Sequence, residues 1–192
     1  MGRRSLYVET VIHTDMDTLW RYTQEPSLHQ RWDLRFAEIH YLPDSDGKRF
    51  RYATRILGLT VAGTGTNAGE RSRSDGTRTS ALRFASADPL SLIRSGSGYW
   101  RYTPTQNGVR FVTGFDYTTR WGPLGKLADL LFRPLFGWAT AWSFDRLRLW
   151  LETDTPPESL SLLAPSAARC VRRPTRDRDA VPPQLLSKVD KP

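Results

Sequence analysis

Cysteine is nearly absent from this sequence of 192 residues, which contains one, Cys170. A single cysteine excludes an internal disulfide and a cysteine-rich metal site, and it favours a reducing compartment. No run of about 18 consecutive apolar residues occurs, so the sequence predicts no transmembrane segment. The N-terminus also lacks the apolar core of a secretion signal. Together these absences predict a cytoplasmic protein.

Residues that build metal and nucleophilic sites are also scarce. The three histidines, His13, His29 and His40, do not form the HxH or HExxH spacing of a metal site. No GxSxG motif is present to supply a nucleophilic serine. Gly63-Thr64-Gly65 superficially resembles a phosphate loop, but it lies inside a predicted strand and no helix N-terminus follows it. The sequence therefore predicts no metal, no cofactor and no obvious catalytic nucleophile.

The charge is strongly basic, with 28 Lys and Arg against 20 Asp and Glu and a formal net charge of +8. Such a balance occurs in proteins that bind nucleic acids or anionic membranes. Here the arginines are scattered through almost every segment, and no run of five like charges occurs. We therefore interpret the charge as a solvated surface and expect no nucleic-acid partner.

The first part of the chain predicts a strand followed by two short helices. Residues 6–13 alternate in character, and Thr14-Asp15 provides an N-cap for the first helix. Pro26-Ser27 ends that helix, and residues 28–32 form the second. The pattern then changes to strands alone, which are joined by short turns such as Gln106-Asn107-Gly108.

Consecutive strands with short connections predict an antiparallel meander, because parallel strands would need crossover helices. Gly63, Gly65 and Gly69 lie within or just after one of these strands and predict a strongly curved sheet. The predicted strands cover residues 36–42, 50–57, 59–67, 77–86, 92–103 and 109–121.

A long helix is predicted over residues 124–152, where apolar residues recur at intervals of three, four or seven. We expect this stripe to cover the concave face of the sheet. Pro134 cannot continue the hydrogen-bond ladder and predicts a kink or break near Phe132-Arg133. The residues of the stripe are Leu124, Leu127, Leu131, Leu135, Trp138, Trp142 and Leu149.

The last part of the chain differs from the rest. Residues 153–192 are rich in Pro, Ser, Arg and Asp and lack apolar periodicity. Such a segment cannot bury enough surface to offset its conformational entropy. The sequence thus predicts one folded α+β domain over residues 1–152 and a disordered tail over residues 153–192, which we expect to be removable without loss of folding.

The predicted order of elements, a strand, two short helices, six strands and a long helix, is that of the helix-grip fold. The segments Tyr7-Val8-Glu9-Thr10, Asp17-Thr18-Leu19-Trp20 and Arg31-Trp32-Asp33 resemble the SRPBCC superfamily, which includes START, Bet v 1-like and polyketide cyclase-like proteins. The segments from Gly122-Pro123-Leu124-Gly125 to Phe132-Arg133-Pro134, and from Trp142 to Leu147, resemble the closing helix of one bacterial branch.

This resemblance covers about residues 5–152 and implies a curved sheet of about seven strands around the long helix. It also implies a deep cavity between sheet and helix that holds an apolar or amphipathic small molecule. Some longer members of this branch continue into a DoxX-like membrane region. The tail of this chain is polar and rich in proline, so membrane anchoring does not follow from the resemblance.

Strand alternation, helical spacing and the resemblance select ten residues to line that cavity. Apolar walls would supply affinity and a few hydroxyl groups would orient the molecule. The alternative is that the same aromatic side chains fill a solid core. The ten residues are Trp20, Trp32, Tyr52, Trp100, Thr113, Phe115, Tyr117, Leu135, Trp138 and Trp142.

Three classes of function remain open at this point. The first is the binding or carriage of a small hydrophobic or amphipathic molecule. The second is an enzyme similar to polyketide cyclases and aromatases, for which Asp33, Arg101, Asp116 and Tyr117 are residues of a suitable type. The third is an interaction module whose basic tail docks on an acidic partner. The absence of a nucleophile and of metal ligands favours binding.

Overall fold

The computed structural model describes residues 5–43, 48–56, 58–161 and 171–172. The chain opens with strand β1 (Leu6–Ile12), helix α1 (Met16–Gln24) and helix α2 (Pro26–Trp32). Helix α1 begins where the sequence predicts, because the Asp15 side chain accepts a hydrogen bond of 2.8 Å from the backbone N–H of Thr18. This hydrogen bond stabilises the carboxylate and lowers the pKa of Asp15.

The strands after α2 form the predicted antiparallel meander. These strands are β2 (Glu38–Tyr41), β3 (Arg49–Ile56), β4 (Leu59–Ser72), β5 (Arg78–Ala85), β6 (Ile93–Thr105) and β7 (Gly108–Thr119). β1 pairs with β7, so the order of the seven strands in the sheet is β2-β3-β4-β5-β6-β7-β1. The turn lies where it was predicted: Gln106 and Asn107 separate β6 from β7, and Gly108 is the first residue of β7.

One further strand of the described residues lies within the predicted tail. β8 (Val171–Arg172) pairs antiparallel with β1, opposite Glu9 and Val8, and makes the sheet eight-stranded. Two residues are too few to give an alternating pattern, so the sequence did not predict this strand. The rest of the predicted tail beyond residue 161 lies outside the described residues.

Helix α3 (Gly122–Thr153) lies against the sheet as one element of 32 residues. Of the kink or break predicted near Phe132-Arg133, the break is wrong, because the helix continues through Pro134. Its C-terminal half packs on the core: Phe144 stacks on Phe111 of β7 at 4.3 Å between ring centroids. The curved sheet with a long C-terminal helix and two short helices is the predicted helix-grip arrangement, which is confirmed.

The chain continues to pack on this domain beyond the end of α3. A single 3-10 turn, Pro157–Ser159, follows the helix, and Pro157 is buried. Arg146 of α3 donates two hydrogen bonds to the Pro157 carbonyl oxygen, from Nε at 3.2 Å and from Nη2 at 2.8 Å. Burial lowers the pKa of Arg146, and acceptors such as the Pro157 carbonyl oxygen offset the cost of burying its charge. The packed part of the chain therefore extends past the boundary predicted at residue 152.

These contacts predict that two truncations differ in stability. A chain that ends at Thr153 loses the Pro157 acceptor of a buried guanidinium and should be destabilised by on the order of 1–3 kcal/mol. A chain that ends at Ser161 keeps this acceptor and is the matched control. Chemical denaturation measures both free energies of unfolding. Equal stability of the two truncated chains would contradict the prediction.

Candidate functional site

A cavity of about 780 Å³ lies between the sheet and the first half of α3. Its walls come from strands β2 to β7, from α2 and the segment after it, and from α3. The side chains that line it are mainly apolar and aromatic. Cavities of this size and character hold drug-sized molecules in other proteins, where the usual range is roughly 300–1,000 Å³.

Six of the ten side chains predicted to line the cavity do so. They come from three strands and one helix that are distant in sequence, which is what the helix-grip arrangement requires. Among them, the phenol of Tyr52 is largely buried, and burial raises the pKa of Tyr52 to about 12. It is therefore protonated at neutral pH and can donate a hydrogen bond. The six are Tyr52, Trp100, Thr113, Phe115, Leu135 and Trp138.

The other four predicted side chains lie elsewhere. Trp20 packs against Tyr102 at 5.1 Å, and Trp32 is fully buried and donates a 2.9 Å hydrogen bond to the Tyr22 carbonyl oxygen. The Tyr117 hydroxyl donates to Asp129 Oδ1 at 2.6 Å. Trp142, 3% exposed, belongs to the buried interior. These four residues stabilise the domain, so their assignment to the cavity wall was wrong.

Aromatic rings lie across glycine residues on the neighbouring strands of the cavity. A Cβ atom at Gly65 would come within 2.1 Å of the Phe50 ring, and one at Gly63 within 2.4 Å of the Tyr52 ring. Each ring therefore needs a glycine opposite it in the sheet. These two glycines accommodate rings, whereas the register shift in β4 occurs further on, at Gly69. The ring of Phe84 lies across Gly96 in the same way.

A buried ion pair forms the polar end of the cavity. Arg35, 8% exposed, donates from Nε and Nη2 to the two carboxylate oxygens of Asp33, at 2.8 and 2.6 Å. His29 Nε2 lies 3.0 Å from Asp33 Oδ2. Burial strongly opposes ionisation of Asp33, but the charge and hydrogen bonds of Arg35, with those of His29, outweigh it and hold the pKa of Asp33 well below its usual value. Arg35 and His29 line the cavity, and Asp33 lies behind them.

Sequence reasoning did not select Arg35 or His29 for the cavity. Both are polar residues beside a helix end, where a cap or a surface ion pair is the usual arrangement. The only available signal was the spacing of His29, Asp33 and Arg35, which brings the three side chains together at the end of α2.

The cavity opens to solvent through a rim of large side chains. Residues that both line the cavity and are strongly exposed must lie at its opening. They are Tyr41, Leu59, Leu90, Trp121 and Leu135, together with Arg55, whose side chain is 68% exposed. Apart from Arg55 and the Tyr41 hydroxyl, this rim is apolar.

An exposed apolar surface continues from that rim along α3. Leu124, Leu127, Leu130 and Leu131 are 65–82% exposed, and Leu135 is 57% exposed. We call these five residues the leucine face. The expectation that Leu124, Leu127 and Leu131 cover the sheet is wrong, because Phe132 and Phe136 of the same helix fill that position.

The residues considered for catalysis do not meet in the cavity. Asp33 is engaged by Arg35, and Tyr117 is bonded to Asp129. Arg101 lies over the ring of Tyr99, and neither Arg101 nor Asp116 lines the cavity. The described residues thus bring no acid or base of the predicted set to the cavity wall.

No known family's sequence profile matches this chain. A curated relative from Bacillus subtilis strain 168 is 51% identical over 163 residues, and its name is uncharacterized membrane protein YndG. The match covers 82% of this chain and 61% of the relative, so the chain spans less than two thirds of the length of that protein. Among the described residues, none of the helices has the length and apolar character to cross a bilayer.

Solved structures with the same arrangement identify the fold. TTHA0849 from Thermus thermophilus aligns with a TM-score of 0.59 at 16% identity, covering 79% of this chain and 99% of that one. A START superfamily protein from Mycobacterium smegmatis aligns with a TM-score of 0.52 at 11% identity, covering 80% of this chain and 100% of that protein. These solved structures share the arrangement of sheet and long helix seen in this chain, so the chain has the predicted helix-grip fold.

The helix-grip fold is also that of a di-domain aromatase/cyclase, StfQ from the steffimycin biosynthetic pathway. This match has a TM-score of 0.57 at 12% identity and covers 78% of this chain and 51% of StfQ. At such identities the likeness establishes the fold and carries no residue role.

Two tryptophans one turn apart on α3 provide a test of the cavity wall. Trp142→Ala should lower the free energy of unfolding by about 3–5 kcal/mol, because its indole is buried in packed protein, and should leave the cavity unchanged. Trp138→Ala should cost less stability, because its ring borders the cavity, and should weaken the binding of an apolar fluorescent probe. Denaturation curves and probe titrations of both variants measure this. If Trp138→Ala instead caused the larger loss of stability and Trp142→Ala weakened probe binding, Trp142 rather than Trp138 would line the cavity.

Proposed function

We propose that this protein binds a small hydrophobic or amphipathic molecule in the cavity between its sheet and α3. The observation that carries the proposal is the cavity of about 780 Å³, which side chains of the described residues leave open. Its apolar walls would supply affinity by removing apolar surface of the molecule from water. Its few hydroxyl groups, such as those of Tyr52 and Thr113, would select an orientation.

The contacts of the candidate catalytic residues favour carriage over chemistry. A cyclase would need acids or bases that reach the bound molecule, and Asp33, Arg101, Asp116 and Tyr117 lie outside the cavity wall. The third class, an interaction module based on the tail, concerns a segment that lies mostly outside the described residues. Binding therefore remains our proposal for the described domain.

Titration with N-phenyl-1-naphthylamine, a neutral apolar probe, tests the proposal directly. The full chain should enhance the emission of this probe. Leu82→Arg, which places a cation on the cavity wall, should weaken binding by about tenfold or more, equivalent to about 1.4 kcal/mol. Val11→Arg introduces the same side chain at an exposed position of β1 outside the cavity and should bind like the wild type.

Thermal melting of both variants shows whether each is folded. If the probe gives no enhancement with the wild type, or if both arginine variants bind it equally well, the cavity is not its binding site and the proposal fails.

We also propose that the leucine face lies on an anionic lipid surface, with the protein on the cytoplasmic side. The B. subtilis relative is called a membrane protein, and the leucine face adjoins the opening of the cavity. The first half of α3 has three charged residues: Lys126 is exposed, the acid Asp129 is buried, and Arg133 pairs with Asp129 at 3.2 Å. A net charge of +8 would add attraction to anionic lipid, which the cytoplasmic leaflet contains. Such a placement would let an apolar molecule enter from the bilayer.

Co-sedimentation with vesicles of phosphatidylglycerol and phosphatidylcholine tests this placement. Leu127→Glu and Leu131→Glu should reduce the pelleted fraction severalfold, because each places a carboxylate on the face that contacts lipid. Their stability should change by only about 0.5 kcal/mol, since both positions are exposed. Val11→Glu is the control on an exposed apolar position elsewhere.

Equal pelleting of wild type and leucine variants would contradict the proposal. If those variants instead convert a dimer into a monomer on gel filtration, a second copy of the chain covers the leucine face and the lipid assignment is wrong.

A further inference from the structure

The guanidinium of Arg35 has donors that Asp33 does not use. Nε and Nη2 face the carboxylate, and in the part of the chain that the structure describes Nη1 makes no hydrogen bond. The residue is 8% exposed and lines the cavity. A partner for Nη1 must therefore come from the cavity.

An unused donor at this place has an energetic consequence. A guanidinium carries five N–H groups, and a ligand that shuts Nη1 off from water without giving it an acceptor would lose about 1–3 kcal/mol of binding free energy. The rings of Phe36, Phe115 and Phe136 surround the Arg35 guanidinium at 5.6, 5.6 and 5.9 Å from their centroids. They offer their faces to the cation but no acceptor oxygen. An acceptor supplied by the bound molecule would therefore be bonded in surroundings of low polarity, where a charge-assisted hydrogen bond is strong.

The charges of the cavity wall decide which acceptor fits. Within the described lining, the permanently charged residues are Arg35 and, at the rim, Arg55, and neither Asp nor Glu belongs to the lining. Asp33 lies on the far side of Arg35, so the ion pair presents its positive end to the cavity. An anionic oxygen meets a cation there, whereas an ammonium group would meet only like charge.

We infer that Arg35 is the anchor for an acid group, and that the molecule bound in this cavity is an amphipathic acid with an apolar body and one terminal carboxylate. This inference rests on the proposed function and adds the chemical class of the ligand. The carboxylate accepts hydrogen bonds from Nη1, and the apolar body lies against aromatic rings of the wall such as those of Phe50 and Phe84.

Three competitors with the same chain test the anchor: dodecanoate, dodecanol and dodecylammonium. Each displaces N-phenyl-1-naphthylamine from the full chain at a concentration that reports its affinity. Dodecanoate should displace the probe at about tenfold lower concentration than dodecanol, equivalent to about 1.4 kcal/mol, and dodecylammonium should be the weakest. Equal displacement by the acid and the alcohol would overturn the inference.

Variants of charged residues test whether Arg35 causes the preference for dodecanoate over dodecanol. Arg35→Gln removes the charge but leaves the Asp33 carboxylate buried and unpaired, which threatens folding. The double variant Asp33→Asn with Arg35→Gln removes both charges and avoids that problem. It should bind the probe and dodecanol like the wild type and lose the preference for dodecanoate. Arg101→Gln, which removes a cation outside the cavity, should keep the preference.

The outcomes separate this inference from the proposed function. If the probe and all three competitors fail to bind, the proposed function itself is wrong. If the probe binds and the double variant retains the full preference for dodecanoate, or if Arg55→Gln removes that preference, the cavity binds apolar molecules and Arg35 is not the anchor.

Discussion

The ion pair between Asp33 and Arg35 is the interaction on which both the packing and the cavity depend. A carboxylate that is 1% exposed would not stay ionised without compensation, because the low polarity of the interior disfavours its charge. Arg35 and His29 provide that compensation, and Leu34 N donates to Ser143 Oγ of α3 at 2.9 Å. The end of α2 is thereby fixed to the long helix. The same geometry holds the guanidinium at the cavity wall, so a requirement of folding also determines where the polar end of the cavity lies.

A second constraint explains why the space between sheet and helix stays open. Rings that lie flat across glycines, such as Phe50 over Gly65 and Tyr52 over Gly63, cover the sheet without projecting towards the helix. On the helix side, Phe132 and Phe136 stack on each other at 5.2 Å. The bulky residues of both layers therefore line the gap without filling it.

The fold could be predicted from the sequence, and the site only in part. Turn residues such as Gln106 and Asn107, and the cap at Asp15, act locally, so the elements they bound were predicted within a few residues. A helical period shows which residues share a face but not which face meets the sheet. For that reason Leu131 was placed inside although it is 82% exposed. Trp138 and Trp142 have the same spacing and differ only in what packs against them, which the sequence of one helix does not determine.

The polar end of the cavity illustrates the part that sequence reasoning misses. An arginine two residues after an aspartate is ordinary in sequence, and its role follows only from the burial of both groups. Apolar walls would bind many molecules with similar strength, because the hydrophobic effect has no direction. A buried donor adds discrimination, since a molecule without an acceptor leaves it unpaired and loses about 1–3 kcal/mol relative to one that has an acceptor. In the proposed complex the cavity volume would set how much of a molecule is buried, and Arg35 would set which end of the molecule lies at the polar end of the cavity.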